Sequence, residues 1–474
     1  MSFGKEISFD PRVAAIDVGV SAYPEAAAAL EQTTEALNKA GRMLGWADVE
    51  HGPFGQVIPA GSKVLLKPNF VMHENQGIWG MSPLVTHQSV VQAVSEAVLR
   101  TEVAEVVVGD APLQGCDFEK LLQKTGLDDW SKALQKKDPR FRGILDFRRT
   151  VAMFVDGVRI AEENVQPLEN FVLFDLGGES LLEPITADVD SFRVTCYDPR
   201  LMAKTHAPGC HKYLVARKIM EADVILNLPK LKTHQKAGIT CALKNLIGIN
   251  GNKEYLPHHR IGGVELGGDC YPGGSEIKRA LEFVTDRQNM SQSFLVSRIW
   301  RTAANQLYRL LHLKGDKLGI EGSWSGNDTV WRTGLDLNRI LIYGRSDGTM
   351  SDDVQRRVIH IADAVVAGQG NGPLSPEPLP MGLLLAGENA AAIDWVGAYL
   401  LGYSPDNLPI VREALGTFRW PLTSFTREEI RLLGDLGEGI ADEVFYRRTY
   451  SFPVNHPLGW RAAARAADNR AILT

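Results

Sequence analysis

Two apolar runs with a helical segment between them constrain this chain more than anything else in it. VLLKPNF (64–70) reads as a short buried strand broken at Pro68. HQSVVQAVSEAVLR (87–100) places apolar residues at 90, 91, 94, 97 and 98 on one helical face, and AEVVVGDAP (104–112) is a second apolar run closing at Gly-Asp. Strand, helix and strand in that order imply a parallel pair, since parallel neighbours need a crossover and a helix supplies it. The same rhythm recurs. Residues 24–46 repeat alanine and leucine at helical spacing behind Pro24, HKYLVARKIMEA (211–222) reads as a helix, DVILNLP (223–229) as a buried strand and TCALKNLIGI (240–249) as the next helix. NRILIYG (338–344), RRVIHIADAVVAGQGNGP (356–373) and MGLLLAGENAAAIDWVGAYLLG (381–402) continue the alternation.

Two stretches break that rhythm. Residues 140–200 hold short alternating segments with Asp-Gly and Gly-Gly turn signals, as antiparallel hairpins do. Residues 251–335 are glycine-rich at first and then helical. The expected fold is therefore α/β, with a mixed, largely parallel sheet, flanking helices, an antiparallel insert and a helical insert. An elaborated core over 1–405 would be followed by a C-terminal helical extension and tail over 406–474. Within the second insert, Phe294, Leu295, Ile299, Ala303, Leu307, Leu310 and Leu311 fall on one side of a helix with Arg298, Arg301 and Arg309 nearby. Such a helix (294–311) suits a membrane surface or a protein partner; packing on the protein's own core is the expectation adopted.

Charge narrows the function. A formal net charge of −6 and a pI near 6.0 argue against general binding of nucleic acid, which calls for clustered excess lysine and arginine. The N-terminus lacks a signal-peptide pattern and no stretch reaches about 18 uninterrupted apolar residues, so a cytoplasmic protein without a transmembrane segment is expected. The five cysteines are scattered, with no CxxC spacing, and read as reduced thiols.

Against this acidic background, NLPKLKTHQKAGITCALKNLIGI (227–249) holds four lysines and one histidine without a carboxylate. On a strand, period-2 geometry puts Lys230, Lys232 and His234 on one side. On a following helix, Lys236, Thr240 and Lys244 share a face. The carboxyl end of a parallel sheet is where open α/β folds place ligands, and an anion there would offset the repulsion among these lysines. The alternative is that each lysine is solvated or paired with an acid from elsewhere in the chain.

Other strand ends add candidates. KPNF offers the charge of Lys67 and the two-sided amide of Asn69. GDAP places Asp110 where it would take a proton, bind a divalent cation such as Mg²⁺, or cap a helix. GQGNGP (368–373), with Gly370 and Asn371 behind Asp363, exposes backbone N–H groups to an anion but matches no nucleotide-binding motif. HAPGCH (206–211) and HHR (258–260) cluster ligand types without a zinc spacing.

In this order, LLKPNF, VVVGDAP, ADVILNLPKLKTH, TCALKNLIG, ADAVVAGQGNGP and AAIDWVGAYLLG resemble domain-of-unknown-function family 362. The resemblance covers roughly residues 60–115 and 205–405 in blocks. It implies an α/β domain, found in prokaryotes, whose members are often fused to ferredoxin-like segments carrying iron–sulfur cysteines; this chain has no CxxCxxC run. The matching positions are Lys67, Asn69, Asp110, Lys230, Lys232, His234, Lys244, Asn245, Asp363, Asn371 and Asp394.

The residues together predict an enzyme acting on a small anionic substrate, carboxylated or phosphorylated. Lys230, Lys232 and Lys67 would hold the anion, with Lys236, Lys244, Gly370 and Asn371 in support. His234 or a lysine of depressed pKa would move a proton, Asn69 and Asn245 would orient the substrate, and Asp110 and Asp363 would bind a cation or act as the opposing acid or base. A non-catalytic accessory protein that binds an anionic metabolite or a redox partner is the competing reading.

Overall fold

The computed structural model describes residues 9–155, 158–447 and 452–464. Its central sheet contains β1 (Arg12–Asp17), β2 (Lys63–Pro68), β3 (Glu105–Asp110), β4 (Phe141–Asp146), β5 (Val224–Leu228), β6 (Lys230–His234), β7 (Gly238–Thr240), β8 (Arg357–Asn371), β9 (Ser375–Gly387), β10 (Arg431–Gly434) and β11 (Gly439–Ile440). Spatially the order is β11-β10-β1-β9-β8-β5-β2-β3-β4, with β6 alongside the far half of β8 and β7 on β6. Neighbours from β8 through β5, β2 and β3 to β4 run parallel, whereas β9 is antiparallel to both β1 and β8. The sheet is thus mixed and largely parallel, as the strand–helix–strand reading implies.

Alternation within the apolar runs explains why they are continuous rather than half polar. Val64, Leu66, Val106, Val108, Val224 and Leu226 enter the core under α1 (Ala26–Leu44) and α2 (Gln88–Leu99), while Leu65, Val107 and Ile225 enter the core on the opposite face. Both faces are covered, so both sets must be apolar. Each such side chain contributes about 1.5–3 kcal/mol by leaving water.

The remaining helices used below are α3 (Ala242–Asn245), α4 (Phe294–Leu313), α5 (Val330–Tyr343) and α6 (Ala390–Leu400). Several segments differ from the sequence reading. HKYLVARKIMEA is mostly a strand, Cys210–Ala216, antiparallel to Phe171–Asp175, with a single helical turn at Arg217–Met220; the pairing partner, distant in sequence, overrides the local periodicity. TCALKNLIGI begins as β7 and only then turns into the short α3, so Lys236, Thr240 and Lys244 do not share a helix face. NRILIYG, read only as part of the strand and helix alternation, supplies the last turns of α5 up to Tyr343. Beyond residue 405, β10 and β11 join the central sheet, so the C-terminal stretch is more than a helical extension.

Candidate functional site

Lys67 and Asp110 stand at the carboxyl ends of the adjacent strands β2 and β3, and their side chains meet at 2.7 Å with almost no exposure. Asp110 also accepts from the backbone N–H groups of Phe70 (2.6 Å) and Ala111 (2.9 Å). Burial pushes its carboxyl up and the Lys67 amine down, and the contact between them opposes both shifts. Gly248 closes this corner: a Cβ there would lie 2.3 Å from Asp110 Oδ1, so only glycine lets the chain pass so close.

A relay of amides fixes the next layer. Asn245 Oδ1 accepts from Lys67 Nζ at 3.2 Å and from Asn69 Nδ2 at 2.9 Å, and Asn245 Nδ2 donates to Asn227 Oδ1 at 2.7 Å. Asp394, on α6, accepts from the N–H groups of Ala242 (2.6 Å) and Leu243 (3.2 Å). A carboxylate at the start of α3 satisfies donors that the helix cannot, and so positions Lys244 and Asn245. Burial raises the Asp394 carboxyl to about 7.

In front of this layer opens a cleft of about 1040 Å³, lined by Lys67, Asn69, Asp110, Lys232, His234, Lys236, Lys244 and Asn245 among others. Eight of the residues singled out from sequence therefore converge. Lys230, Asp363, Gly370 and Asn371 do not line it. Lys230 and Asp363 form a wholly buried ion pair at 2.6 Å, and Asp363 also accepts from the Tyr23 hydroxyl and from the His87 N–H at 2.9 Å. Its oxygens are engaged inside the protein, and Asp363 does not line the cleft that Asp110 faces. Among the described residues no group of three or more His, Cys, Asp or Glu side chains is arranged to hold a metal ion. Gly370 donates its N–H to Asn455 O at 2.7 Å in the β8–β9 hairpin, where Asn371 is exposed.

Partners sort the cleft lysines into two groups. Lys67 meets Asp110, and Lys236 approaches Glu321 at 3.4 Å and donates to Thr195 Oγ1 at 2.9 Å. Lys232, Lys244 and Lys253 have no carboxylate within 4.0 Å among the described residues; Lys232 donates to the Leu84 carbonyl instead. Burial first, then Lys230 and Lys244, pushes Lys232 well below the ordinary amine range. Burial and the charges of Lys253, Lys236 and Lys67 bring Lys244 to about 7, and burial brings Lys253 to about 8. The wall residues Asn69 and Thr240 also hold buried side-chain oxygens, Oδ1 and Oγ1, without a hydrogen-bond partner among the described residues. Such atoms carry a desolvation cost that a ligand donor would remove.

Two histidines face the same space with opposite polarity. His234 Nδ1 accepts from the backbone N–H of Lys236 (3.0 Å) and of Ala237 (3.2 Å), which leaves its proton on Nε2. His258 Nδ1 lies 2.7 Å from the Leu256 carbonyl and must be the protonated nitrogen, leaving Nε2 with a free lone pair. Burial and nearby lysines hold both rings neutral, well below the usual imidazole value. His234 is thus a hydrogen-bond donor, and His258 is the available base. The sequence reading gave proton transfer to His234 or a lysine of depressed pKa, noted His258 only within HHR as a ligand type without a zinc spacing, and did not single out Lys253. Cys196, also on the wall, holds φ 68°, a strained conformation for a side-chain-bearing residue.

Helix α4 packs through Trp300, Ala303, Ala304, Leu307 and Leu311 on a small core, so only Ala303, Leu307 and Leu311 of the apolar face read from sequence are covered. It also leaves Leu295 70% and Ile299 67% exposed, with Leu313 85% exposed at its end. No helix among the described residues is long and apolar enough to cross a membrane.

The family described as "Domain of unknown function (DUF362)" matches residues 64–143 and 145–399. A thylakoid-associated protein of Synechocystis sp. is 22% identical over 370 residues, covering 77% of this chain and 71% of that protein. A crystal structure of a Thermotoga maritima protein aligns at a TM-score of 0.31 and 13% identity over 74% of this chain, which spans 54% of that chain.

Proposed function

The chain belongs to the DUF362 family, whose description assigns no reaction, and from its cleft we propose an enzyme that acts on a small anionic substrate, carboxylated or phosphorylated, by proton transfer. One observation carries this reading: three lysines, Lys232, Lys244 and Lys253, line the cleft without a carboxylate partner among the described residues. Buried like charges repel one another, and an anion would turn that repulsion into attraction. Lys232, Lys244 and Lys253 would hold it, with Asn69 and Thr240 accepting from its hydroxyl or amine groups. His258 would take a proton through Nε2, and His234 would donate from Nε2 to a developing oxyanion. Isomerisation, elimination and group transfer all use such a pair.

A thermal-shift screen against small carboxylates, sugar phosphates and nucleotides, with and without Mg²⁺, tests it, because a ligand bound to the native state raises Tm. The expected result is a selective rise that Lys232→Ala and Lys244→Ala remove. Rises that survive both substitutions would contradict the proposed site.

The exposed apolar residues of α4 favour a second reading, a non-catalytic accessory protein docked through that helix to a partner or a membrane surface. The thylakoid association in the name of the Synechocystis relative agrees with it. Vesicle flotation that is lost in Leu295→Ser/Ile299→Ser, together with no turnover of any anion bound, would select this reading.

A further inference from the structure

The cleft has two unlike halves. Its lysines and histidines gather at the carboxyl ends of the strands. Above them lies the hairpin of Thr150–Val155 and Val158–Asn164, where Val151, Met153 and Ala161 share one face with Glu163 and, together with Ala152 and Phe154, line the same space. The hairpin is anchored: the Ala152 N–H donates to the Gln114 carbonyl at 3.1 Å, and Phe154 packs so closely on Gly115 that a Cβ there would lie 3.1 Å from the ring. Helix α4 backs its second strand from outside. Phe70, Val71 and Met72 face the cleft from β2's end.

The size of the cleft asks for more than an anion. About 1040 Å³ is at the upper end for a whole drug-sized ligand, whereas a phosphate or three-carbon acid would occupy a small part of it. Met153 is 60% exposed on this wall, so apolar surface faces water when no ligand covers it.

Building on the anion-binding reading above, we propose that the ligand is an anionic amphiphile, whose phosphate or carboxylate head sits among Lys232, Lys244 and Lys253 and whose hydrocarbon body lies along the Val151–Phe154 wall. The head supplies orientation and the body supplies affinity. Each methylene moved from water onto such a wall tightens binding by up to about fourfold.

The test is calorimetric titration of the full chain with inorganic phosphate and with ethyl, butyl and hexyl phosphate, and in parallel with acetate, butyrate and hexanoate. The expected result is a Kd that falls severalfold per two carbons in at least one series, and the series that shows it identifies the head. Lys244→Ala should weaken every member of that series by a similar factor. Met153→Ser and Phe154→Ala, made separately so that one folding failure does not end the test, should flatten the dependence on tail length. If short anions bind and longer ones bind no tighter, the amphiphile is overturned while the anion site stands. If no member of either series binds, both readings fail. A tail dependence unchanged in Met153→Ser and Phe154→Ala would place the hydrocarbon elsewhere and overturn the proposal.

Discussion

Lys230 and Lys244 come from one carboxylate-free stretch and end in opposite circumstances. Lys230 lies directly opposite Asp363 across β6 and β8, and the pair is sealed, with Tyr23 and His87 completing the carboxylate's shell. Lys244, fourteen residues on, is only partly buried, faces the cleft and meets no acid among the described residues. The difference teaches that a buried lysine reports on ligand binding only once its partners are known. A paired one stabilises the fold, and an unpaired one marks where charge has been left for something else to neutralise.

The largest effect should therefore come from the sealed pair. Lys230→Ala leaves Asp363 buried without its cation, and removing one member of a buried pair costs about 3–5 kcal/mol. Denaturant unfolding should show that loss; a change below about 1 kcal/mol would erase the distinction between the two lysines. Lys244→Ala should do the reverse. Loss of a charge-assisted hydrogen bond of about 1.5–3 kcal/mol predicts anion affinity reduced about 10- to 150-fold, with the unfolding midpoint unchanged or raised. Equal losses of stability and affinity would make Lys244 structural.

How much of this contrast was legible in advance depends on what decides each part. The parallel sheet could be read because VLLKPNF, AEVVVGDAP and DVILNLP are buried on both faces and so are apolar throughout. Lys67, Asn69 and Asp110 could be placed near a site because strand ends converge at one edge of such a sheet. The pairing of Lys230 could not, because Asp363 lies 133 residues downstream and only the β6–β8 register brings it opposite. The place of His258 and Lys253 in the cleft was missed for a related reason: they reach it from the second insert, whose path local periodicity does not determine. The strand at Cys210–Ala216 misread as a helix belongs to the same class, since its partner Phe171–Asp175 is far away in sequence.

Acid–base behaviour sharpens the contrast with a smaller effect. Between about pH 7 and the ordinary lysine value near 10.4, unfolded Lys244 and Lys253 still hold protons that the folded ones, at about 7 and about 8, have lost. Stability should accordingly rise with pH across that window, while anion affinity falls. The rise in stability should shrink in Lys244→Ala; an identical pH profile in the variant would remove Lys244 as its source. The smallest perturbation is none at all: imidazole ¹⁵N shifts at pH 6 should show His234 neutral with its proton on Nε2 and His258 neutral with its proton on Nδ1. A charged ring at that pH would overturn the donor and base roles.

Proton uptake on ligand binding tests the central claim most directly. An anion seated among lysines that are partly neutral must recharge them, so titrating hexyl phosphate at pH 8 in buffers of different ionisation enthalpy should reveal net proton uptake, diminished in Lys244→Ala. Binding without uptake at pH 8, or uptake that Lys244→Ala leaves intact, would contradict the account.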